Sequence, residues 1–323
     1  MKRRKPQTAP TAASPWPHRW AWTLACAAFL LLYVGDTVTT YSAAMAVPDW
    51  PTTEGYWFYP LPKWLGADWD VFLQHGHRML ALLVGLVTIA LTVALWRLDP
   101  RKGVRWLGVA ALAGFVVQAV LGGLRVLTDE ILLAKVLGCT GPLFFALSAA
   151  LVTLTSPRWH QSGRPKKLAA ARRLHALAVA VTLALFLQIV LGAQLRHVSP
   201  VEAPGWFVLW VWLKLILAGL ILGAVVWLLI DVRRRAAAEP MLVRRAGLLV
   251  ALCSVQLVLG AATWVTNYAW PLWFKTYVWP LSYTVVAEGD LQVVTTTLHM
   301  AAGSLCLVAA LSLVLWSRRR LSQ

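Results

Sequence analysis

The chain has 323 residues, is 59% hydrophobic and carries charge on only 13% of its residues. A soluble domain carries charge on about a quarter of its residues, so a soluble globular enzyme is excluded. The formal net charge of +17 raises nucleic-acid binding, but 23 of the 30 Lys and Arg sit in the N-terminal tail and in segments 97–105, 156–173, 232–245 and 317–323. A nucleic-acid face would also need interleaved stacking aromatics on one soluble surface, so no nucleic-acid partner is expected.

In chain order, apolar runs fall at roughly 20–40, 74–96, 104–126, 132–155, 174–195, 206–230, 246–267 and 292–316. Each is long enough to cross a hydrocarbon core of about 30 Å. The predicted fold class is an all-α polytopic membrane protein, with eight transmembrane helices as two pseudo-symmetric four-helix bundles. Strands of alternating polarity, the mark of a membrane β-barrel, are absent. The first run follows a basic tail, as a signal peptide would, but no small-residue cleavage site follows it, so it is expected to remain as a span. With eight spans, every basic segment falls on one side. The other side carries Asp49, Glu54, Asp68, Asp70, Asp129, Glu130, Glu202, Glu288 and Asp290. That asymmetry predicts a multi-pass protein of the cytoplasmic membrane with both termini cytoplasmic. Cys26, Cys139, Cys253 and Cys306 all lie inside spans, match no zinc spacing and are expected to be small core residues.

The odd spans share a step. Span 3 reads "QAVLGGLRVLT", span 5 "QIVLGAQLRHV" and span 7 "QLVLGAATWVT", with a weaker form, "LLYVGDTVTT", in span 1. The small residues are Gly35, Gly122, Gly192 and Gly260, three of them preceded four residues earlier by Gln. Small residues let membrane helices approach closely, but packing alone does not ask for the repeated Gln. The even spans share another pattern. His77 and His299 are each followed four residues later by a small residue, one turn along the same face. Lys214 and Leu137 stand at the corresponding places of spans 6 and 4. The predicted organisation is an N-terminal half over 1–155, a basic linker over 156–173 and a C-terminal half over 174–323. Two long aromatic loops, 41–73 and 268–291, read first as interfacial belts and second as lids over a pocket in each half.

Ionisable groups inside a membrane are costly and usually face a bundle interior. His77 and His299 at one depth are candidate iron ligands, because neutral imidazole is a common haem ligand and a flat macrocycle needs small neighbours beside it. Arg78, Arg125 and Arg196, at the ends of spans 2, 3 and 5, could receive propionates as charge-assisted pairs or simply snorkel to the interface. His18, His75, His160, His175 and His197 lie off that face or layer and are not expected to ligate.

The chain resembles the heme A synthase family along nearly its whole length. The resemblance rests on "VTTYSAAMAVPDWPTTEGY", "QHGHR", "LGG…VLT", "QIVLGAQLRH" and "TTTLHMAAGS". It implies oxidation of a methyl group of heme O to give heme A for cytochrome oxidase, in two rounds, with water as the oxygen source. It implies a b-type haem in one half and the heme O or heme A substrate in the other, each held by two axial histidines from the even spans. Partners would be the lipid bilayer, the haem substrate and heme O synthase or cytochrome oxidase assembly proteins. By position His77 and His299 match two of these ligands, while Leu137 and Lys214 stand where the other two would be. The family's catalytic acid falls on Gln74, which cannot transfer a proton as a carboxylate does. Two readings therefore stand beside each other: a heme A synthase-type enzyme, or a non-catalytic haem-binding or assembly relative. A small-solute or proton carrier using Asp36, Lys214 and the histidines would show paired Gly/Pro breaks at the midplane, and the sequence has none.

Overall fold

The computed structural model describes residues 14–198 and 203–322. Among them, eight helices are long and apolar enough to span a membrane. They are α1 (Trp16–Thr40), α2 (Trp69–Leu98), α3 (Lys102–Thr128), α4 (Ile131–Thr155), α5 (Ala171–Arg196), α6 (Pro204–Arg235), α7 (Pro240–Tyr268) and α8 (Asp290–Arg320). The chain is an all-α multi-pass membrane protein. Each helix outruns its predicted apolar run by a few residues, because amphipathic ends continue the backbone ladder beyond the apolar stretch. Pro17, Pro204 and Pro240 occupy first turns, where a missing N–H costs nothing.

Packing closes two rings. In the first, α1 packs on α2, α2 on α3, α3 on α4, and α4 back on α1. In the second, α5 packs on α6, α6 on α7, α7 on α8, and α8 back on α5. Thus α2 and α4 are diagonal partners in one ring, and α6 and α8 in the other. The rings meet where α4 and α1 touch α8 and where α4 touches α5. Ala25 and Ala28 of α1, Phe145 of α4 and Val308 of α8 fill that seam. Small alanines there admit close helix approach.

The basic face is stitched by buried acids. Asp231 accepts from Arg235 at 2.6 Å and pairs with Arg173 at 3.3 Å. Glu239 pairs with Lys166 at 2.8 Å and with Arg320 at 2.9 Å. Hydrogen bonds from these two cations outweigh burial and hold the Glu239 carboxyl below its usual range. Strands β1 (Lys166–Lys167) and β2 (Leu321–Ser322) pair in parallel, so the segment after α4 is tied to the C-terminal end of the chain. His18 and His175 serve packing here, contacting Thr155 and Ser317. The cysteine expectation holds for Cys253 and Cys306 but needs correction for Cys26, which is exposed, and Cys139, which is half-buried. A helix in a bilayer can turn an apolar thiol to lipid at little cost, so an intramembrane position does not imply a core position.

Candidate functional site

Three of the four glycine steps meet the marked residue of the next helix. A Cβ on Gly35 of α1 would lie 3.0 Å from His77 Cε1 on α2. A Cβ on Gly260 of α7 would lie 3.0 Å from His299 Cε1 on α8. A Cβ on Gly192 of α5 would lie 3.1 Å from Lys214 Nζ on α6. Only glycine leaves room for a side chain to press this close to the neighbouring backbone. The fourth step differs: Gly122 meets nothing, and its neighbour Gly123 is covered by the indole of Trp50. The loop's Trp50 reaches α3 one residue further along, and Leu137 takes no part.

The repeated glutamines reach across the same helix pairs. Gln118 accepts from the Thr140 hydroxyl of α4 at 2.8 Å. Gln188 donates to the Lys214 carbonyl at 3.1 Å. Gln256 lies 3.5 Å from His299 Nε2. Each therefore fixes the register of an even helix against the odd helix before it. Repetition made these glutamines visible in the sequence, but not what they touch.

His77 and His299 lie deep in their rings, yet each keeps part of its surface open. In both, Nδ1 is enclosed without a hydrogen-bond partner among the described residues. A buried polar atom without a partner is costly, and its occurrence twice at the same glycine contact marks a site rather than an accident. Among the described residues no three His, Cys, Asp or Glu side chains gather as a metal cage. Iron held here would therefore have to bring most of its own ligands, as a haem does. The donor set fits a haem in the C-terminal ring, where Lys214 and His299 sit on diagonal helices. In the N-terminal ring it supplies one imidazole, since Leu137 cannot ligate.

The other residues of "QHGHR" hold the loop over 41–68. Gln74 is 3% exposed. Its Oε1 accepts from the Val47 N–H, and its Nε2 donates to the Ala44 carbonyl at 2.7 Å and the Val47 carbonyl at 3.4 Å. Arg78 donates to the carbonyls of Thr52 and Val47 and to the Thr53 hydroxyl. His75, 2% exposed, meets Thr53 Oγ1 at 3.1 Å and packs against Tyr59 and Trp64. Gln74, His75 and Arg78 are thus loop anchors, and only His77 turns to Gly35. Part of this loop packs down onto the helices, with Trp50 on Gly123 and Trp64 stacked on Phe72. Part is an exposed apolar rim, at Trp57 and Phe58, matched in the second long loop by Leu272 and Tyr277.

A turn at Glu54 and Gly55, both with positive φ, closes onto the Asp49 carboxylate. Asp49 accepts from the Thr52 hydroxyl and from the N–H groups of Glu54 and Gly55. Burial pushes its carboxyl up, but these hydrogen bonds outweigh it and hold it below the usual range. A carboxyl with a depressed folded pKa stabilises above its unfolded value, and that contribution is lost as pH falls through the folded one. The turn should therefore stay closed through neutral and mildly acidic pH. Asp49→Ala should open it, increasing cleavage between 49 and 65 in limited proteolysis while the helices stay protected. An unchanged cleavage pattern would deny Asp49 this role.

The remaining candidates are already engaged. Arg125 pairs with Asp129 one turn on. Arg196 donates to the Asp36 carbonyl and the Thr40 hydroxyl, both at 2.8 Å, and stands 3.9 Å from the Asp36 carboxylate. It ties α5 of one ring to α1 of the other, a contact the sequence does not reveal. The signal was present in an acid and an arginine at similar depth in spans 1 and 5.

Residues 18–203, which include α1 through α5, match the family model COX15-CtaA, described as cytochrome oxidase assembly protein. The chain belongs to this family. It is 23% identical over 219 residues to the heme A synthase of Hyphomonas neptunium, covering 57% of this chain and 61% of that protein. It is 26% identical over 197 residues to the heme A synthase of Lysinibacillus sphaericus, covering 58% and 61%. Over 94 residues it is 34% identical to a protoheme IX farnesyltransferase of Halobacterium salinarum, covering 29% of this chain and 20% of that protein. The matches thus span less than two thirds of these relatives' lengths.

Proposed function

We propose that this COX15-CtaA family member binds haem and acts in heme A biosynthesis for cytochrome oxidase, by oxidising the methyl group of heme O. The observation that carries the reading is the pair of imidazoles, His77 and His299, each deep in its ring against a glycine with Nδ1 enclosed and unpaired among the described residues. The similarity to heme A synthases, and over one segment to a protoheme IX farnesyltransferase, supports a haem-biosynthetic setting. When bound, the haem supplies the redox chemistry. The chain's own residues would hold it: the imidazoles of His77 and His299 as donors to iron, the glycines as clearance, and the loop held by Gln74, His75 and Arg78 as a cover that excludes water. Heme O synthase or other oxidase assembly proteins are the partners this setting implies. With both termini cytoplasmic, the lid loops face outward.

A second reading is a non-catalytic haem-binding relative. Gln74 favours it, because its carboxamide is committed at both ends to loop backbone. Expression in a membrane host that makes heme O, followed by extraction of the bound haems, separates the two. Heme A in the extract is the expected result. Heme O retained unchanged would establish the second reading, and no haem at all would overturn both.

A further inference from the structure

We infer that Lys214 and His299 form an unlike axial pair, one amine and one imidazole, for a single haem iron in the C-terminal ring. This rests on the haem reading above and assigns its ligands. Lys214 Nζ lies 3.1 Å from where a Cβ on Gly192 would stand, as the two imidazoles lie 3.0 Å from where a Cβ on Gly35 or Gly260 would stand, so it occupies the same structural position with a different donor. It lies on α6, and α6 and α8 are diagonal across the ring. Side chains from diagonal helices converge on the ring's interior, where a flat ligand would have one on each face.

Nothing else claims the amine. Lys214 has no hydrogen bond or ion pair among the described residues. Gln188 takes its backbone carbonyl and leaves Nζ alone. Asp36, the acid in the same region, faces Arg196. Lys214 is ten residues into a helix that starts at Pro204, about 15 Å along the axis, and it is half-buried. A cation placed so deep without a counter-ion is costly. A neutral amine bound to iron removes that cost. Coordination converts the ammonium to the amine and releases one proton to solvent, with no electron transferred.

The test compares the full-length wild type with Lys214→Ala and Lys214→His, purified from a haem-supplied host, by haem content, optical spectrum and electron paramagnetic resonance. Lys214→Ala should turn a low-spin component high-spin. Added imidazole should restore it, and Lys214→His should keep it low-spin. His299→Ala should remove the same component. An identical low-spin fraction in wild type and Lys214→Ala would overturn the assignment. So would a loss of haem in Lys214→Ala with no change of spin state, which would make Lys214 a counter-ion. Should Lys214→Ala fail to fold, Lys214→His decides, because its low-spin signal must differ from the wild-type signal if the native donor is an amine. A wild type that holds no haem would instead overturn the proposed function.

Discussion

His299→Ala should lower the haem bound per chain by about half, and His77→Ala should do the same, with the double variant holding none, because each ring offers one imidazole to iron. Haem extraction against protein concentration measures it. The wild-type geometry explains the size of the effect. Each imidazole sits against a glycine on the preceding helix, with Nδ1 enclosed and unpaired. Alanine there removes a donor and leaves the ring fold intact, since neither histidine has a hydrogen-bond partner to strand except Gln256. Unchanged haem content in either single variant would remove that histidine from the site.

Gln74→Glu should loosen the loop, although glutamate is the residue the family resemblance expects at this position. The carboxamide donates to two carbonyls, Ala44 and Val47, and accepts from one N–H. A carboxylate keeps the acceptor and loses the donor, so two carbonyl oxygens would face a negative charge. Leaving buried polar groups unpaired costs about 1–3 kcal/mol, more where a charge is involved. Gln74→Glu should therefore show faster proteolysis within 41–68 and a lower thermal midpoint in detergent, while Gln74→Met, which strands polar groups but adds no charge, should lie between it and wild type. A Glu variant as stable and as protected as wild type would show that the loop does not depend on the amide.

The fold was legible because length and polarity suffice for it. Apolar runs of spanning length and basic segments on one side lead to the eight helices without any long-range information. The site was half legible. The spacing of His77 and His299 to small residues on the same face could be read along one helix. The glycine steps were visible as a repeat, but their meaning lies between helices: Gly35 under His77, Gly192 under Lys214 and Gly260 under His299. Position along the chain gives no such pairing. "QHGHR" shows the limit most clearly. Gln74 and Arg78 look like site chemistry in one dimension, and His75 like a bystander. Their partners, Ala44, Val47, Thr52 and Thr53, come from the preceding loop, and only the folded chain shows that they anchor it. Arg196 likewise reads along the chain as a propionate contact or a snorkelling cation, and the folded chain adds Asp36 and Thr40 beside it.

The central claim is that the two rings hold haem through His77 and His299. The haem content and optical spectrum of the purified full-length chain, expressed with an ample haem supply, test it most directly. A haem spectrum that loses intensity in His77→Ala and again in His77→Ala/His299→Ala is the result expected. A folded, monodisperse chain without haem, or with haem that survives the double substitution, would contradict it.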